Sequence, residues 1–326
     1  MNDEIAVARP AIVTLMGPTA AGKSDVAIEL AERLPATIVS VDSAMVYRGM
    51  DIGTAKPDAA LRMRVPHRLI DVRDPSERYS VAQFTADARE AVRETLAAGR
   101  LPLLVGGTMM YFNAFKSGLA AMPEVGAEIR AELAARAQSE GLAALHRELA
   151  AVDPIAAERI HPRNPQRLLR ALEVYRASGR PISEWWSVQD DAGAAEEFEA
   201  DLVEFALLPA RAVLAARIES RFRKMLASGF VDEVRALRAR GDLTPELPSM
   251  RAVGYRQVWS HLDGRIDERT MIESALRATR QLAKRQATWI NRWRDHRMLD
   301  ASRGDAAEQM LQYLDAVAIL DRHSRG

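Results

Sequence analysis

Gly17-Pro18-Thr19-Ala20-Ala21-Gly22-Lys23-Ser24 is the stretch on which the reading of this chain turns. Before it runs Ile12-Val13-Thr14-Leu15-Met16, apolar and of strand length; after it, Val26 to Leu34 carries apolar residues at helical spacing. A G-x-x-x-x-G-K-[ST] match between a strand and a helix is a phosphate-binding loop. Charge explains the pattern. Glycines let successive backbone N–H groups point inward, the helix N-terminus adds its positive dipole end, and Lys23 adds a full charge. The Ser24 hydroxyl suits Mg²⁺. A glycine-rich turn with an incidental lysine is the plain alternative, and it has no need of the flanking strand and helix. The chain therefore holds a phosphate or diphosphate, and other segments must say what is attached to it.

At 326 residues the length suggests about two domains. Apolar residues make up 48% and charged residues 28%, the balance of an ordinary globular protein. With no cysteine, disulfides, thiolate metal sites and a cysteine nucleophile are excluded. Met1-Asn2-Asp3-Glu4 is acidic and lacks the basic-then-apolar order of a secretory leader, and no apolar stretch reaches membrane-spanning length. A cytoplasmic protein with no membrane partner is expected. The net charge of zero speaks against a nucleic-acid partner only if charges are evenly spread. They are not: Glu196 to Asp201 is acidic, whereas Arg277 to Arg297 is basic.

Along the chain, Thr37 to Val41 reads as a second buried strand ending on Asp42-Ser43. A carboxylate at the tip of a parallel strand lies on the ligand edge of an open α/β sheet, although a capping or solvated Asp fits the same position. Met45 to Pro57 has no clean period and mixes Gly, Lys and aromatic residues, as a functional loop does. His67 to Asp71 reads as a short strand, and Val81 to Ala98 as a helix stopped by Gly99. Leu101 to Val105 is a third buried strand, followed by Gly106-Gly107-Thr108, where glycines allow close approach to a ligand and Thr108 can hydrogen-bond it.

Residues 120–200 turn rich in Ala, Glu, Arg and Leu, lose β-branched runs and show helical periods, so an α-helical insertion is expected there, hinged at Pro123 and at Gly193 to Asp201. Leu202 to Leu208 restores a strand, and Arg211 to Ala227 forms a helix in which Arg217 and Arg221, four apart, share a face. Ala275 to Arg297 reads as one long helix with Arg280 and Lys284 among its cations and Trp289 and Trp293 between them. Cations mixed with aromatics suit phosphate contact and base stacking; equally, the tryptophans suit a docked core. The fold expected is α/β, a P-loop NTPase-like core of parallel sheet flanked by helices (residues 1–119 and 201–326) with the helical insertion of 120–200.

Seven segments together resemble the bacterial tRNA dimethylallyltransferases, in that family's order and over about residues 10 to 300: GPTAAGKS at Gly17 to Ser24, DSAMVYRGMDIGTAKP at Asp42 to Pro57, GGTMMY at Gly106 to Tyr111, NPQRLLRALEVYRASGRPIS at Asn164 to Ser183, RIESRFRKMLASGF at Arg217 to Phe230, RAVGYRQ at Arg251 to Gln257, and ATRQLAKRQATW at Ala278 to Trp289. Arg163-Asn164 stands where the family often has Asn-Asp, and Met45 where many members have Gln.

The resemblance implies transfer of a dimethylallyl group from its diphosphate to the exocyclic amine of the adenosine 3′ of the anticodon in tRNA, with Mg²⁺ as the metal. It implies catalytic roles for Asp42, Thr108, Arg217 and Arg221, and diphosphate binding by Gly17, Pro18, Thr19, Ala20, Ala21, Gly22, Lys23 and Ser24, with Ser24 on the metal. The anticodon stem-loop is expected against Asp42, Ser43, Ala44 and Met45, against Thr108 and Arg130, and along Gln166, Arg167, Leu168, Leu169 and Arg170. Arg251, Ala252, Val253, Gly254, Tyr255 and Arg256 join them, with Arg280 and Lys284 on the basic helix. A monomer is expected. Two rival readings remain: a phosphate-loop nucleoside or nucleotide kinase, against which Gly106-Gly107-Thr108 counts by replacing the usual strand-tip Asp, and a nucleotide-gated RNA-binding protein without chemistry.

Overall fold

A computed structural model describes residues 9–118, 122–186 and 193–317. Strands β1 (Ala11–Met16), β2 (Ala36–Val41), β3 (His67–Arg68), β4 (Leu101–Gly106), β5 (Asp201–Leu207) and β6 (Arg297–Leu299) form one parallel sheet in the order β3-β2-β4-β1-β5-β6. Every residue of β1, β2 and β4 is buried, as the unbroken apolar runs require of parallel strands covered on both faces. Successive side chains of β1 go to opposite sides. Ala11, Val13 and Leu15 join Ala27, Leu30 and Ala31 of helix Lys23–Arg33 on one face. Ile12 and Met16 join Phe84, Ala88 and Val92 of helix Val81–Ala97 and Phe112 and Phe115 of helix Met109–Ser117 on the other.

This arrangement fixes where a ligand can sit. Neighbouring strands β1 and β4 send their following helices to opposite faces, so the loops at their carboxyl ends diverge and leave a crevice at the topological switch point. A third core lies beyond that edge: Val46, Tyr47 and Met50 of the loop after β2 pack with Phe222, Phe230, Tyr255, Val258 and Met271 from helices Arg211–Ala227, Phe230–Ala239, Tyr255–Leu262 and Glu268–Ile290. The loop after β2 is thus seated on a layer of helices.

The chain divides into two compact units, Met1–Lys116 with Ala194–Gly326, and Ser117–Gly193. The second contains helices Ala127–Ser139, Leu142–Val152, Pro154–Arg159, Pro165–Ser178 and Ile182–Trp185, packed about Leu133, Leu145, Leu149, Leu168 and Leu172. Asn164, despite replacing the family's Asp, caps helix Pro165–Ser178: its Oδ1 accepts from Arg167 N at 3.2 Å, and Pro165 occupies the first helical position.

Three expectations need correction. The segment from Gly193 to Asp201 is no simple hinge, because helix Ala194–Glu197 seats Ala194 and Ala200 in the core of the sheet unit; residues 119–121 and 187–192, beside the expected hinges, lie outside the described residues. The late helix stops at Ile290, with Asn291 at its C-cap, instead of reaching Arg297; a left-handed Asp295 (φ 68°) then leads the chain into Arg297–Leu299, the edge strand β6. From His67 to Asp71 only two residues pair with β2, because Leu69 and Asp71 take left-handed φ values of 62° and 59°. No helix among the described residues is long and apolar enough to cross a membrane.

Candidate active site at the carboxyl edge of the sheet

Sheet register sets the site. Met16 of β1 and Val41 of β2 both pair with Gly106 of β4, so the three strands end level and Gly17, Gly107 and Asp42 follow side by side. With β4 between them, the Asp42 tip and the phosphate loop are two strand spacings apart, about 10 Å. Hydrogen bonds knit the tips: Gly17 N to Gly106 O, Thr108 N to Val41 O, and Ser43 N to Thr108 Oγ1, each at 3.2 Å.

The loop between β1 and its helix curls through Ala20 at φ 62° and Gly22 at φ 101°, left-handed values of which only the second is cheap, for want of a Cβ. Lys23 bends back, its Nζ donating to Pro18 O at 2.8 Å. Burial lowers its pKa to about 8, and the neighbouring Arg221 guanidinium pushes the same way, against Asp42, which favours the charged form. The pKa of Arg221 is likewise lowered by burial, opposed by Asp42 and Asp25. Two desolvated cations facing one another are costly unless an anion joins them. The second face-sharing arginine also borders the loop: Arg217 Nη1 donates to Ala21 O at 2.8 Å, while Arg221 Nη2 donates to Thr54 O at 3.2 Å. Ser24 is exposed at the head of the helix beside Asp25. No group of three or more His, Cys, Asp or Glu side chains that could hold a metal occurs among the described residues. One hydroxyl next to a phosphate cradle fits a Mg²⁺ that is bound chiefly through phosphate oxygens and water.

Asp42 closes a turn on itself, its Oδ1 accepting from Ala44 N at 2.8 Å and from Met45 N at 3.3 Å. Met45 is half-buried, its sulfur 3.8 Å from Ser40 Oγ. The rest of the loop is pinned from below by residues the sequence reading did not single out. Lys56 Nζ donates to Tyr47 O at 2.8 Å and to Asp51 and Asp71 Oδ1 at 2.6 Å each. Glu233 accepts from the backbone N–H groups of Asp51 (2.9 Å), Ile52 (2.6 Å) and Gly53 (3.2 Å), and from Tyr255 Oη at 2.5 Å. Burial, with the Glu233 carboxylate adding to it, pushes the Tyr255 hydroxyl far up, so it remains a donor.

A further unpredicted residue bridges the crevice walls. Gln286, on helix Glu268–Ile290, accepts at Oε1 from Thr19 N (2.9 Å) and donates from Nε2 to Gly107 O (2.8 Å). A Cβ at position 107 would fall on that Nε2 and force the Gln286 amide off its bridge. The available signal was a polar residue on the helix's inner face, between buried Ala283 and Ile290.

Of the expected RNA contacts, Arg251, Arg256, Arg280 and Lys284 are exposed, Ala252 and Val253 half-buried, and Gly254 and Tyr255 buried. Tyr255 therefore acts on the loop through Glu233. In the second unit Arg130, Gln166 and Arg167 are exposed and Leu169 and Arg170 half-buried, whereas Leu168 is core. The tryptophans separate: Trp289 is 42% exposed, while Trp293 donates to Glu204 Oε1 at 3.0 Å against the sheet core.

A parallel sheet with a glycine-walled cationic loop after its first strand defines a phosphate-loop α/β protein. Within that class, the description "IPP transferase" belongs to the family model that matches residues 45–293, and the chain is a member of the IPP transferase family. It is 57% identical over 305 residues to a tRNA dimethylallyltransferase of Chromohalobacter salexigens, covering 93% of this chain and 96% of the relative. The full-length tRNA isopentenylpyrophosphate transferase of Bacillus halodurans superposes with a TM-score of 0.69 at 36% identity, over 97% of this chain and 99% of that one. A eukaryotic dimethylallyltransferase acting on tRNA, 24% identical, shares the fold with a TM-score of 0.80 over 96% of this chain and 80% of its own.

Proposed function

We propose that this chain transfers the dimethylallyl group of dimethylallyl diphosphate to the exocyclic amine of the adenosine 3′-adjacent to the tRNA anticodon. The observation that carries the reading is the level placement of a carboxylate, Asp42, two strands from a glycine-walled cationic loop. The adenine amine is a weak nucleophile, its lone pair being delocalised into the ring. Asp42 accepts its proton as the new C–N bond forms at the allylic carbon and the C–O bond to diphosphate breaks. The departing diphosphate gains charge, and the loop amides, Lys23, Arg217 and Arg221 oppose it with donors already in place. Ser24, at the head of the phosphate-loop helix, would hold a Mg²⁺, which would supply charge neutralisation on the diphosphate. Thr108, tied to the turn after Asp42 through Ser43 N, keeps nucleophile and leaving group in register.

Arg217→Ala and Arg221→Ala are each expected to lower kcat by about 10²–10³-fold, with the larger loss at the desolvated Arg221. Steady-state rates with tRNA saturating measure both. Equal activity of either variant and wild type would remove that arginine from the reaction.

Adenine must leave its stack to reach Asp42, at a cost of a few kcal/mol that is lower in a loop than in a duplex. The anticodon stem-loop is the partner that meets this requirement, and the work belongs to a cytoplasmic monomer. On helix Glu268–Ile290 the exposed Arg277, Arg280 and Lys284 form a stripe opposite the buried Ala275, Ala283 and Ile290. Arg280 is 3.6 Å from Glu219, whereas Arg277 and Lys284 form no ion pair among the described residues. Lys284→Glu is expected to weaken tRNA binding and reduce the log–log salt slope by about 0.7–0.9 for the lost phosphate contact; an unchanged slope in filter binding would restrict Lys284 to a structural role. To separate transfer of the allyl group from kinase chemistry, enzyme and tRNA are incubated with labelled dimethylallyl diphosphate or labelled ATP. Label moves to RNA from the first only; phosphate transfer from ATP without allyl transfer would reverse the assignment.

A further inference from the structure

One side chain, Gln286, bridges the two walls of the crevice. Gly17 N already donates to Gly106 O at 3.2 Å where β1 and β4 end, but beyond that point the chains diverge to opposite faces of the sheet. Gln286 spans the divergence, its amide accepting from Thr19 N at 2.9 Å and donating to Gly107 O at 2.8 Å. Both partners adjoin groups that face the reaction: Thr19 lies within the phosphate loop, and Gly107 immediately precedes Thr108. The Thr19 N–H is taken up by Gln286, which holds the peptide plane from which the following loop amides continue. Helix Glu268–Ile290 is itself anchored through Met271, Ala275 and Ala283 in the core beneath the loop after β2. The bridge is therefore referenced to the same layer that seats the Asp42 turn.

We propose that Gln286 is a positioning residue for the transfer reaction, setting the spacing between the phosphate loop and the Gly107–Thr108 strand tip so that leaving group and nucleophile meet in line. The inference rests on the transferase reading above. A displacement of about 1 Å in reacting groups costs on the order of 100-fold in rate, and a side chain whose two hydrogen bonds both go to backbone of the crevice walls acts on kcat through that spacing.

Two variants of the full chain test it. Gln286→Met keeps the length and apolar packing while removing both hydrogen bonds; its kcat is expected to fall about 10–100-fold with KM for tRNA within about twofold of wild type. Gln286→Glu keeps the acceptor for Thr19 N, and its protonated form restores a donor toward Gly107 O. Its kcat relative to wild type at the same pH is therefore expected to climb at least tenfold as pH falls from about 8 to about 5.5, because a carboxylate facing a carbonyl oxygen is raised in pKa. A wild-type kcat in Gln286→Met, or a Gln286→Glu deficit that is the same at every pH, would overturn the proposal. Wild-type turnover with tRNA is the control. Its absence would count against the transferase reading, whereas normal wild-type turnover with either overturning result counts against Gln286 alone.

Discussion

Asp42→Asn is expected to lower kcat for allyl transfer by about 10²–10⁴-fold, the usual contribution of a positioned general base, while tRNA affinity and thermal stability stay near wild type. The choice of Asn matters. Asp42 Oδ1 accepts from Ala44 N and Met45 N, and an Asn Oδ1 can accept the same two bonds. The turn that presents Ser43 to Thr108 is thereby kept, and only the capacity to take a proton is lost. Asp42→Ala removes both functions, so it should be as inactive as Asn and less stable by about 1 kcal/mol for the lost turn bonds. A non-catalytic RNA-binding protein would show no difference between Asn and wild type in any biological readout. Single-turnover rates with saturating tRNA and differential scanning calorimetry separate the two effects.

Lys23→Met is expected to remove at least 10²–10³-fold in kcat, as loss of one preorganised charge on a developing anion does, and at the same time to raise the Tm by a few degrees at pH 7. Stability follows from linkage. Burial brings the folded-state pKa from the ordinary 10.5 to about 8. Below pH 8 the ammonium is present in both folded and unfolded chains and its burial is fully unfavourable; between about pH 8 and 10.5 the folded protein sheds the proton and stability rises. Methionine carries no such cost. The same shift predicts that the contribution of Lys23 to affinity for inorganic diphosphate weakens as pH rises through about 8, with proton uptake on binding, and that Lys23→Met removes this contribution and leaves only the ligand's own titration. Calorimetric titration in two buffers of different ionisation enthalpy measures the proton uptake. A diphosphate affinity with the same dependence across pH 7–9 in wild type and Lys23→Met would contradict Lys23 as the cradle's cation.

How much of this was legible in the sequence depended on how local each feature is. The buried strands and the helix after the phosphate loop are written in continuous apolar runs and 3.6-residue spacing, and the family resemblance drew on seven segments in order. Arg217 and Arg221 could be placed on one face from their spacing, but their carbonyl partners, Ala21 and Thr54, lie far away in the chain. Gln286 and Glu233 were missed for the same reason: each holds backbone groups about 180 or more positions distant, and although Gln286 lies on the inner face of its helix, nothing nearby in the sequence says which groups it meets. The late helix was drawn too long because Arg292 and Arg294 continue its basic composition, while the turn at Asp295 leaves no glycine or proline to mark it. Tyr255 was expected among the tRNA contacts with Arg251 and Arg256; only the packing shows that its ring lies against Phe230 and its hydroxyl on Glu233.

The central claim is that a diphosphate leaves from the glycine-walled cradle as an adenine amine, relieved of its proton by Asp42, takes its place. Mass spectrometry of nucleosides from tRNA incubated with the wild-type protein, Mg²⁺ and dimethylallyl diphosphate tests it most directly. The account predicts one five-carbon allyl unit on the exocyclic nitrogen of the adenosine 3′ to the anticodon, equimolar with diphosphate released, and almost none with Asp42→Asn. Diphosphate release without a modified adenosine, or full modification by Asp42→Asn, would contradict it.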